Sequence, residues 1–322
     1  MRVGILGGTG FVGNYLVDSL LARGHQPVLL VRPGSEDRIT GRHASEVVLG
    51  SLSDQAAVRA LINSTDALIY NIGILREAPA HGVTFDALHW QGAKQAMDIA
   101  AEAGGKRFLL MSANGVRADG TAYQRTKYKA EEYLRTTSLD FTIFRPSVIF
   151  GPPQGRMEIA TQLYRDIVRL PLPAPLFYSG LLPLDAGGFR LAPVHVEEVA
   201  AAFADALEDD SSIGRTILLC GPEDLTWRQM LERIAAAAGN PRKTMIPVPV
   251  GLLKLGAMLL GRFQMFPVTA EQLQMLLEGN TCTEPADASV SSGKRRFDTA
   301  ELGYLASVDG PVNGRVSGMH YS

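Results

Sequence analysis

The chain has 322 residues, of which 46% are hydrophobic and 20% are charged, and its formal net charge is −2. This length and apolar content permit a substantial core and suggest a domain with an appended lobe. The charges show no basic excess, which argues against nucleic-acid binding. The two cysteines, Cys220 and Cys282, form no CxxC pair, so we expect a reducing compartment and no disulfide.

The first residues follow a strand–turn–helix pattern. An apolar run over residues 3–6 predicts a buried strand, and it ends in the glycines Gly7, Gly10 and Gly13. Apolar residues at helical spacing then run to a glycine stop at Gly24, which predicts a helix. The turn between the two elements is therefore glycine-rich.

Such a turn suits a dinucleotide, because the free backbone N–H groups and the dipole at the start of a helix attract the negatively charged pyrophosphate. Gly7 would permit the tight turn, Gly10 the approach of the backbone to the phosphates, and Gly13 close packing of helix on strand. With 33 glycines in the chain, the spacing alone is weak, and its place between strand and helix carries the prediction. The residues predicted to hold the dinucleotide here are Gly7, Thr9, Gly10, Phe11, Val12 and Gly13.

Arg32 follows the second predicted strand, residues 27–31. In dinucleotide folds the residue at this place meets the adenosine ribose, where an acidic side chain suits a 2′-hydroxyl and an arginine suits a 2′-phosphate. Arg32, with Ser35 and Arg38 behind it, predicts NADP(H), with NAD(H) less favoured. The alternative interpretation is a solvated surface arginine.

Strands and helices continue to alternate along the chain. The further predicted strands are 47–49, Ala67–Tyr70, Arg107–Met111, 141–144 and 216–219, and the predicted helices include Gln55–Asn63, 85–104 and 196–207. This alternation predicts an α/β fold, a Rossmann-type doubly wound parallel sheet with right-handed crossovers. The small-residue turn of Asn71, Ile72 and Gly73 is expected to pass beneath the cofactor.

The pattern changes after residue 150, where prolines become dense. We expect a smaller, loop-rich C-terminal substrate lobe over the carboxyl edge of the sheet. The predicted ranges are 1–150 with 192–220 for dinucleotide binding, 151–191 with 221–280 for the substrate or partner lobe, and 281–322 for a loosely held tail. An apolar stretch, 250–266, is too short and interrupted to span a membrane. It is either a core-facing helix or a segment lying on a membrane surface or a partner.

Tyr123 and Lys127 are four residues apart on a predicted helix, so they share one face. A lysine ammonium beside the tyrosine would stabilise the phenolate and lower its pKa. The tyrosine could then exchange a proton with a carbonyl or hydroxyl while a nicotinamide exchanges hydride. The lysine could also hold the nicotinamide ribose. Ser112 and Asn114, just after the fifth strand, complete the candidate catalytic set.

Other polar residues indicate less. His195 stands alone in an apolar segment, so we expect it to be structural rather than catalytic. The six histidines lack the spacing of a metal site. A Gly-x-Ser-x-Gly motif is absent from the sequence, so nothing indicates a hydrolase.

Three motifs together resemble the extended and atypical short-chain dehydrogenases/reductases. They are the Gly-Gly-Thr-Gly-Phe-Val-Gly turn, the Tyr-x-x-x-Lys pair and the run Arg-Pro-Ser-Val-Ile-Phe-Gly-Pro from residue 145. The resemblance implies that Pro146 and Ser147 lie by the nicotinamide and that Ser51 and Leu52 lie by the adenine. It also aligns Asn114, not Ser112, with the hydroxyl residue that usually bonds the substrate oxygen.

Within this family, residues 1–280 most resemble the branch of the nucleotide-binding accessory subunit of respiratory complex I. The resemblance implies NADP(H) binding, often without turnover. The intact Tyr123–Lys127 pair favours an NADP(H)-dependent oxidoreductase, with Tyr123 as proton donor or acceptor and Lys127 in support. The alternative is a non-catalytic dinucleotide-binding accessory protein of a respiratory or quinone-related membrane complex, and a weaker one is a sugar-nucleotide epimerase or dehydratase. The chain starts directly with a strand, so we expect no signal peptide and a cytoplasmic location, or a peripheral one at the inner face of a membrane.

Overall fold

The computed structural model describes residues 1–39, 45–251, 270–282 and 289–308. The strands in these ranges are β1 Arg2–Leu6, β2 Gln26–Val31, β3 Glu46–Leu49, β4 Ala67–Tyr70, β5 Arg107–Met111, β6 Asp140–Pro146, β7 Ile149–Phe150, β8 Ala174–Tyr178, β9 Arg190–Leu191, β10 Val194–His195, β11 Arg215–Cys220, β12 Leu225–Thr226, β13 Met245–Pro249 and β14 Ser289–Ser292. The α-helices are α1 Phe11–Ala22, α2 Gln55–Asn63, α3 Gly92–Glu102, α4 Ala122–Arg135, α5 Ile159–Leu163, α6 Val196–Glu208, α7 Trp227–Ala237 and α8 Ala270–Glu278. A π-helical turn, Asp86–Gln91, runs directly into α3.

Eight strands form one sheet in the order β14-β11-β6-β5-β4-β1-β2-β3. Neighbouring strands from β3 to β11 are parallel. The chain runs outward from β1 through β2 and β3, then returns to the other side of β1 at β4. This topology confirms the predicted Rossmann-type doubly wound sheet. Ligands in such sheets bind beyond the carboxyl ends of the strands, at the point where the strand order reverses. Here that point lies between β1 and β4, so we expect a ligand site at the turns that follow these two strands.

The central strands are buried because the sheet is covered on both faces. Strand β4 is buried along its whole length, and so is β5. Such strands read as unbroken apolar runs rather than alternating ones, which is why the sequence predicted them closely. Each large apolar side chain taken out of water stabilises the fold by about 1.5–3 kcal/mol.

Helix α4, which carries Tyr123 and Lys127, starts at a complete capping box. The Thr121 hydroxyl accepts from the Gln124 N–H at 3.3 Å, and the Gln124 side chain accepts from the Thr121 N–H at 2.8 Å. The same motif begins α7, where Thr226 is the N-cap. A cap of this kind stabilises a helix start by about 1 kcal/mol. It therefore fixes where α4 begins, one residue before Tyr123.

The chain divides into two compact units, each built from separate stretches of sequence. The first unit takes its described residues from 1–146, 196–219 and 289–291, and the second takes them from 147–195, 220–282 and 292–308. Residue 147 thus begins the second unit, and α6 returns the chain to the first. The assignment of the units to dinucleotide and substrate binding stays a prediction.

The core of the second unit includes the end of the described chain. Phe297 is 1% exposed, and Leu302 and Leu305 are equally buried in this core. This differs from the expectation of a loosely held tail from residue 281. The tail's overall composition is polar, but three apolar side chains spaced along it are enough to hold its described part down.

His195 lies fully buried in the second unit. Its ring meets Phe150 edge-to-face at 5.2 Å, and the Arg295 guanidinium lies 3.4 Å from its nitrogens. Burial, with the charge of Arg295, lowers the pKa of His195 to about 4. These are the surroundings of a packed structural residue.

The predicted apolar stretch 250–266 lies outside the described residues apart from Val250 and Gly251, and Val250 is buried. In the described part of the chain, no helix combines the length and the apolar character needed to cross a bilayer.

The two cysteines are paired, so the expectation of no disulfide is wrong. Cys220 ends β11 and Cys282 follows α8, and their Cα atoms lie 6.2 Å apart, within the range of disulfides. They are separated by 62 residues, a distance that carries no local signal. Their proximity depends on how the second unit folds back on itself.

We expect protein purified without reductant to show no free thiol after denaturation, and two after reduction. Closing a loop of this size stabilises a fold by about 2–4 kcal/mol. Cys220→Ser should therefore lower the unfolding free energy by an amount in that range, measured by chemical denaturation. Cys282→Ser is the matched control and should have the same effect, and the double variant no more. Two titratable thiols in the unreduced protein would contradict the pairing.

Candidate functional site

Gly7 and Gly13 in the turn after β1 are required by the backbone itself. Gly7 has φ +98°, and a Cβ there would lie 3.0 Å from the Asn71 carbonyl. A Cβ at Gly13 would lie 2.6 Å from the carbonyl oxygen of Gly8, and it would overlap with the carbonyl oxygen of Gly7. Gly10 differs, since a Cβ there would meet only the Gly7 oxygen, at 3.5 Å. The protein alone leaves room at Gly10.

That room faces the start of α1. Gly10 is the N-cap residue and has no side chain with which to accept from the first amides, and the first turn carries no acidic residue. Backbone N–H groups at a helix start attract anions. A cradle that a Cβ would fill, at an uncapped helix start, fits the pyrophosphate of a dinucleotide. Thr9, Phe11 and Val12 are neighbours of Gly10 in sequence, and their contact with a dinucleotide stays a prediction.

The residues predicted for the adenosine end follow the neighbouring strands. Arg32 is exposed just beyond β2, and its carbonyl accepts from the Ser35 N–H at 2.9 Å. Ser51 and Leu52 follow β3 in sequence, and the Ser51 hydroxyl lies 2.8 Å from that of Ser53. Because β1, β2 and β3 are adjacent and parallel, these turns share the carboxyl edge with the glycine turn.

The turn of Asn71, Ile72 and Gly73 connects the glycine turn with the lysine. The Asn71 side chain donates to the Gly7 carbonyl at 3.2 Å. At the other end, a Cβ on Gly73 would lie 3.7 Å from the Lys127 ammonium. The turn after β4 therefore lies between two parts of the predicted site that are far apart in sequence.

Lys127 is buried, with 5% of its surface exposed. Its ammonium donates to the Met111 carbonyl at 2.9 Å and lies 5.8 Å from the centre of the Tyr123 ring. Burial lowers the pKa of Lys127 to about 8, opposed by the charge of Glu131. The ammonium therefore remains mostly charged at neutral pH.

The structure brings Tyr123 and Lys127 together on α4, but the predicted electrostatic effect is wrong. Burial raises the pKa of the Tyr123 phenol instead of lowering it. The ammonium lies over the ring and bonds the Met111 carbonyl, so its charge is not directed at the hydroxyl. At neutral pH the phenol keeps its proton.

Ser112 is turned toward a buried carboxylate. Its hydroxyl donates to Glu131, which is 0% exposed, and the Arg145 guanidinium donates to the same carboxylate at 2.6 Å. Sequence reasoning missed Glu131 and Arg145 as a pair. The signal was present, since Glu131 is four residues beyond Lys127 and so lies on the same helix face.

Asn114 and Pro146 join the ends of two neighbouring strands. The Asn114 N–H donates to the Pro146 carbonyl at 2.9 Å, which holds the end of β6 beside the loop after β5. Asn114 is half-buried. Ser147 belongs to the second unit, where its hydroxyl donates to the Asn280 carbonyl at 3.0 Å.

Substitutions at Gly10 and Gly13 should separate ligand binding from folding. Gly10→Ala should leave the unfolding midpoint nearly unchanged and weaken dinucleotide binding, because its Cβ enters the cradle and meets no protein atom closely. Gly13→Ala is the contrasting variant and should destabilise the protein, by about 1–3 kcal/mol as for other overpacked sites. Thermal unfolding and a fluorescence titration with NADPH measure the two effects. Undiminished NADPH binding by Gly10→Ala would place the cofactor elsewhere.

Comparison with known proteins agrees with this geometry. A family model described as NAD(P)H-binding matches residues 7–166. The mitochondrial NADH dehydrogenase (ubiquinone) 1 alpha subcomplex subunit 9 of Arabidopsis thaliana is 31% identical over 92% of this chain and 73% of its own length. Ceramide reductase of Caulobacter vibrioides is 30% identical over 80% of this chain and 76% of its own length.

Solved structures agree in fold. UDP-glucose 4-epimerase of Thermus thermophilus, in complex with NAD, has a TM-score of 0.60 at 22% identity, over 80% of this chain and 93% of that one. The Bordetella bronchiseptica enzyme WbmH, in complex with NAD+, has a TM-score of 0.67 at 16% identity, over 97% and 99%. The motifs, the sheet order and the similarity to the two curated relatives point the same way. The chain belongs to the NAD(P)-binding short-chain dehydrogenase/reductase family, in the atypical and extended branch related to the complex I accessory subunit.

Proposed function

We propose that the protein is an NADP(H)-dependent oxidoreductase that works mainly as a reductase. The observation that carries this is the Tyr123–Lys127 pair on one face of α4, beside the turn that joins Lys127 to the glycine cradle. A bound nicotinamide would supply the hydride. Tyr123, which keeps its proton at neutral pH, would supply the proton to the substrate oxygen.

The roles of the chain's own residues follow from their surroundings. A phenol with a raised pKa is a poor base and a suitable proton donor, which favours reduction over oxidation. Lys127 would place a positive charge where the ribose and the reacting oxygen meet, at the side of the turn of Asn71, Ile72 and Gly73. Ser112 is bonded to Glu131, so Asn114 is the better candidate for orienting the substrate. A ketone or aldehyde is the substrate class that this arrangement suits.

The preference for NADP(H) over NAD(H) is also a proposal. Arg32 supports it, since it is exposed at the end of β2, where a 2′-phosphate would lie in this fold. Ser35 and Arg38 follow on the same loop. Glu36 and Asp37 lie between Ser35 and Arg38 in sequence. The attraction of the two arginines for a 2′-phosphate must therefore exceed the repulsion from these two carboxylates.

A second candidate is a non-catalytic subunit whose dinucleotide is structural. The commitment of Ser112 to Glu131 and of the Lys127 ammonium to Met111 favours it, because both groups are used internally. The 31% identity to a complex I subunit suggests a membrane complex as the partner, with the protein attached peripherally. An epimerase or dehydratase acting on a sugar nucleotide is the weakest candidate, since that likeness is one of fold.

Arg32→Ala should reduce the preference for NADPH. A charge-assisted contact contributes about 1.5–3 kcal/mol, so unaltered protein should bind NADPH at least about ten-fold more tightly than NADH. The variant should bind both with similar affinity, as measured by calorimetric titration. Arg59→Ala, which removes a surface arginine paired with Glu102, is the control and should keep the preference. Equal affinities in the unaltered protein would contradict the assignment.

Tyr123→Phe separates enzyme from binding subunit. It removes only a hydroxyl, so NADPH should bind nearly as before, while hydride transfer should fall by about 10²–10⁴-fold. The measurement is single-turnover oxidation of bound NADPH with a panel of ketones, aldehydes and quinones. Tyr128→Phe, on the same helix, is the control and should retain the rate. If unaltered protein binds NADPH and oxidises it with no member of the panel, the structural-cofactor candidate leads.

A further inference from the structure

The π-helical turn before α3 contains a buried histidine that the proposed reaction does not use. His89 lies within the turn Asp86–Gln91 and is 2% exposed. π-turns are rare, occur mostly as single turns within α-helices, and are frequent at functional sites. A neutral imidazole can donate at one nitrogen and accept at the other. The hydrogen-bond partners of the two nitrogens therefore determine where the ring carries its proton and which elements it connects.

Each ring nitrogen has a partner on a different element. Nε2 accepts from the Ile74 N–H at 3.0 Å, so that nitrogen carries no proton. Burial, with the charge of Lys127, lowers the pKa of His89 to about 2, and the ring is neutral at working pH. Its proton is therefore on Nδ1, which lies 3.3 Å from the Thr126 hydroxyl. That hydroxyl donates back into its own helix, where the Ala122 carbonyl lies at 2.9 Å and the Tyr123 carbonyl at 3.0 Å.

The ring also touches the candidate proton donor. Its centre lies 5.1 Å from that of the Tyr123 ring, edge-to-face, and it stacks on Phe85 at 5.3 Å. His89 thus contacts α4 twice, through Thr126 and through Tyr123. Its third contact, at Ile74, is with the end of the turn after β4.

That turn is held at both ends. Asn71 bonds the Gly7 carbonyl at the start, and Ile74 bonds His89 at the finish. Between them, Gly73 passes close to the Lys127 ammonium. Without the His89 bond, the turn would keep its hydrogen bond to the glycine cradle and lose the one that Ile74 makes to this ring beside α4.

We propose that His89 is a positioning residue that holds the turn of residues 71–74 against α4 and thereby sets where the nicotinamide end of the dinucleotide lies relative to Tyr123. The inference rests on the proposed dinucleotide function. His89 exchanges no proton, since both nitrogens are occupied and the ring stays neutral. Its effect is confined to one end of the cofactor, because the cradle at Gly10 and the loop at Arg32 do not touch it.

The test compares NADPH with 2′-phospho-ADP-ribose, which lacks the nicotinamide. His89→Phe keeps a ring for the aromatic contacts and removes both hydrogen bonds. Unaltered protein should bind NADPH more tightly than the fragment. In His89→Phe the NADPH affinity should fall by roughly ten-fold, the equivalent of one to two lost hydrogen bonds, while the fragment affinity stays within about two-fold. A loss of packing alone would weaken both ligands equally.

Two further variants complete the experiment. Thr126→Val removes the partner of Nδ1 at nearly constant shape, and it should shift the NADPH affinity in the same direction by a smaller factor. It also keeps the inference testable if His89→Phe does not fold, as judged by circular dichroism. His81→Phe, at an exposed position, is the matched control and should change neither affinity.

The outcomes distinguish this inference from the function on which it rests. If unaltered protein binds neither ligand, the dinucleotide function fails and the inference fails with it. If it binds NADPH more tightly than the fragment, and the folded variants at His89 and Thr126 keep that difference, only the role of His89 is overturned. Equal affinity of unaltered protein for the two ligands would also overturn the inference, while leaving dinucleotide binding intact.

Discussion

The burial of the Lys127 ammonium constrains several elements of the first unit at once. Taking an ammonium out of water is costly unless its hydrogens and charge are matched. Here the Met111 carbonyl accepts from it, Glu131 lies one helical turn beyond it, and Arg145 in turn neutralises Glu131. The ends of β5 and β6 and one face of α4 are thereby fixed with respect to each other. A lysine on the surface would impose none of this.

Much of the fold could be predicted because its signals are local. The buried strands are unbroken apolar runs, and the glycine turn lies directly between a strand and a helix. What could not be predicted depends on distant parts of the chain. The Cys220–Cys282 disulfide and the hydrogen bond from Ser112 to Glu131 join residues that are far apart in sequence and share no sequence pattern. The burial of Phe297 likewise depends on contacts with distant residues. The site was predicted as a set of residues, but not as a set of contacts.

The pKa of Tyr123 shows why spacing alone misleads. Two residues four apart share a helix face, but their side chains can point at different partners. The ammonium of Lys127 turns to a backbone carbonyl, and burial then governs the phenol. The direction of this shift matters for the proposed function, since, of the two expected roles of proton donor and proton acceptor, a raised pKa favours the donor. The same contacts leave the two leading functions distinguishable only by turnover.

The capping box at the start of α4 has a consequence for how the site meets its ligand. Gln124 bonds the Thr121 backbone and also, through its amide, the Gly115 carbonyl at 2.9 Å. Helix ends commonly fray. Here the two hydrogen bonds hold the first helical turn to the loop before it. Ordering a residue's backbone costs roughly 1–2 kcal/mol in conformational entropy. Because that ordering of the segment around Tyr123 is already complete in the folded chain, an incoming ligand would not have to meet this entropic cost.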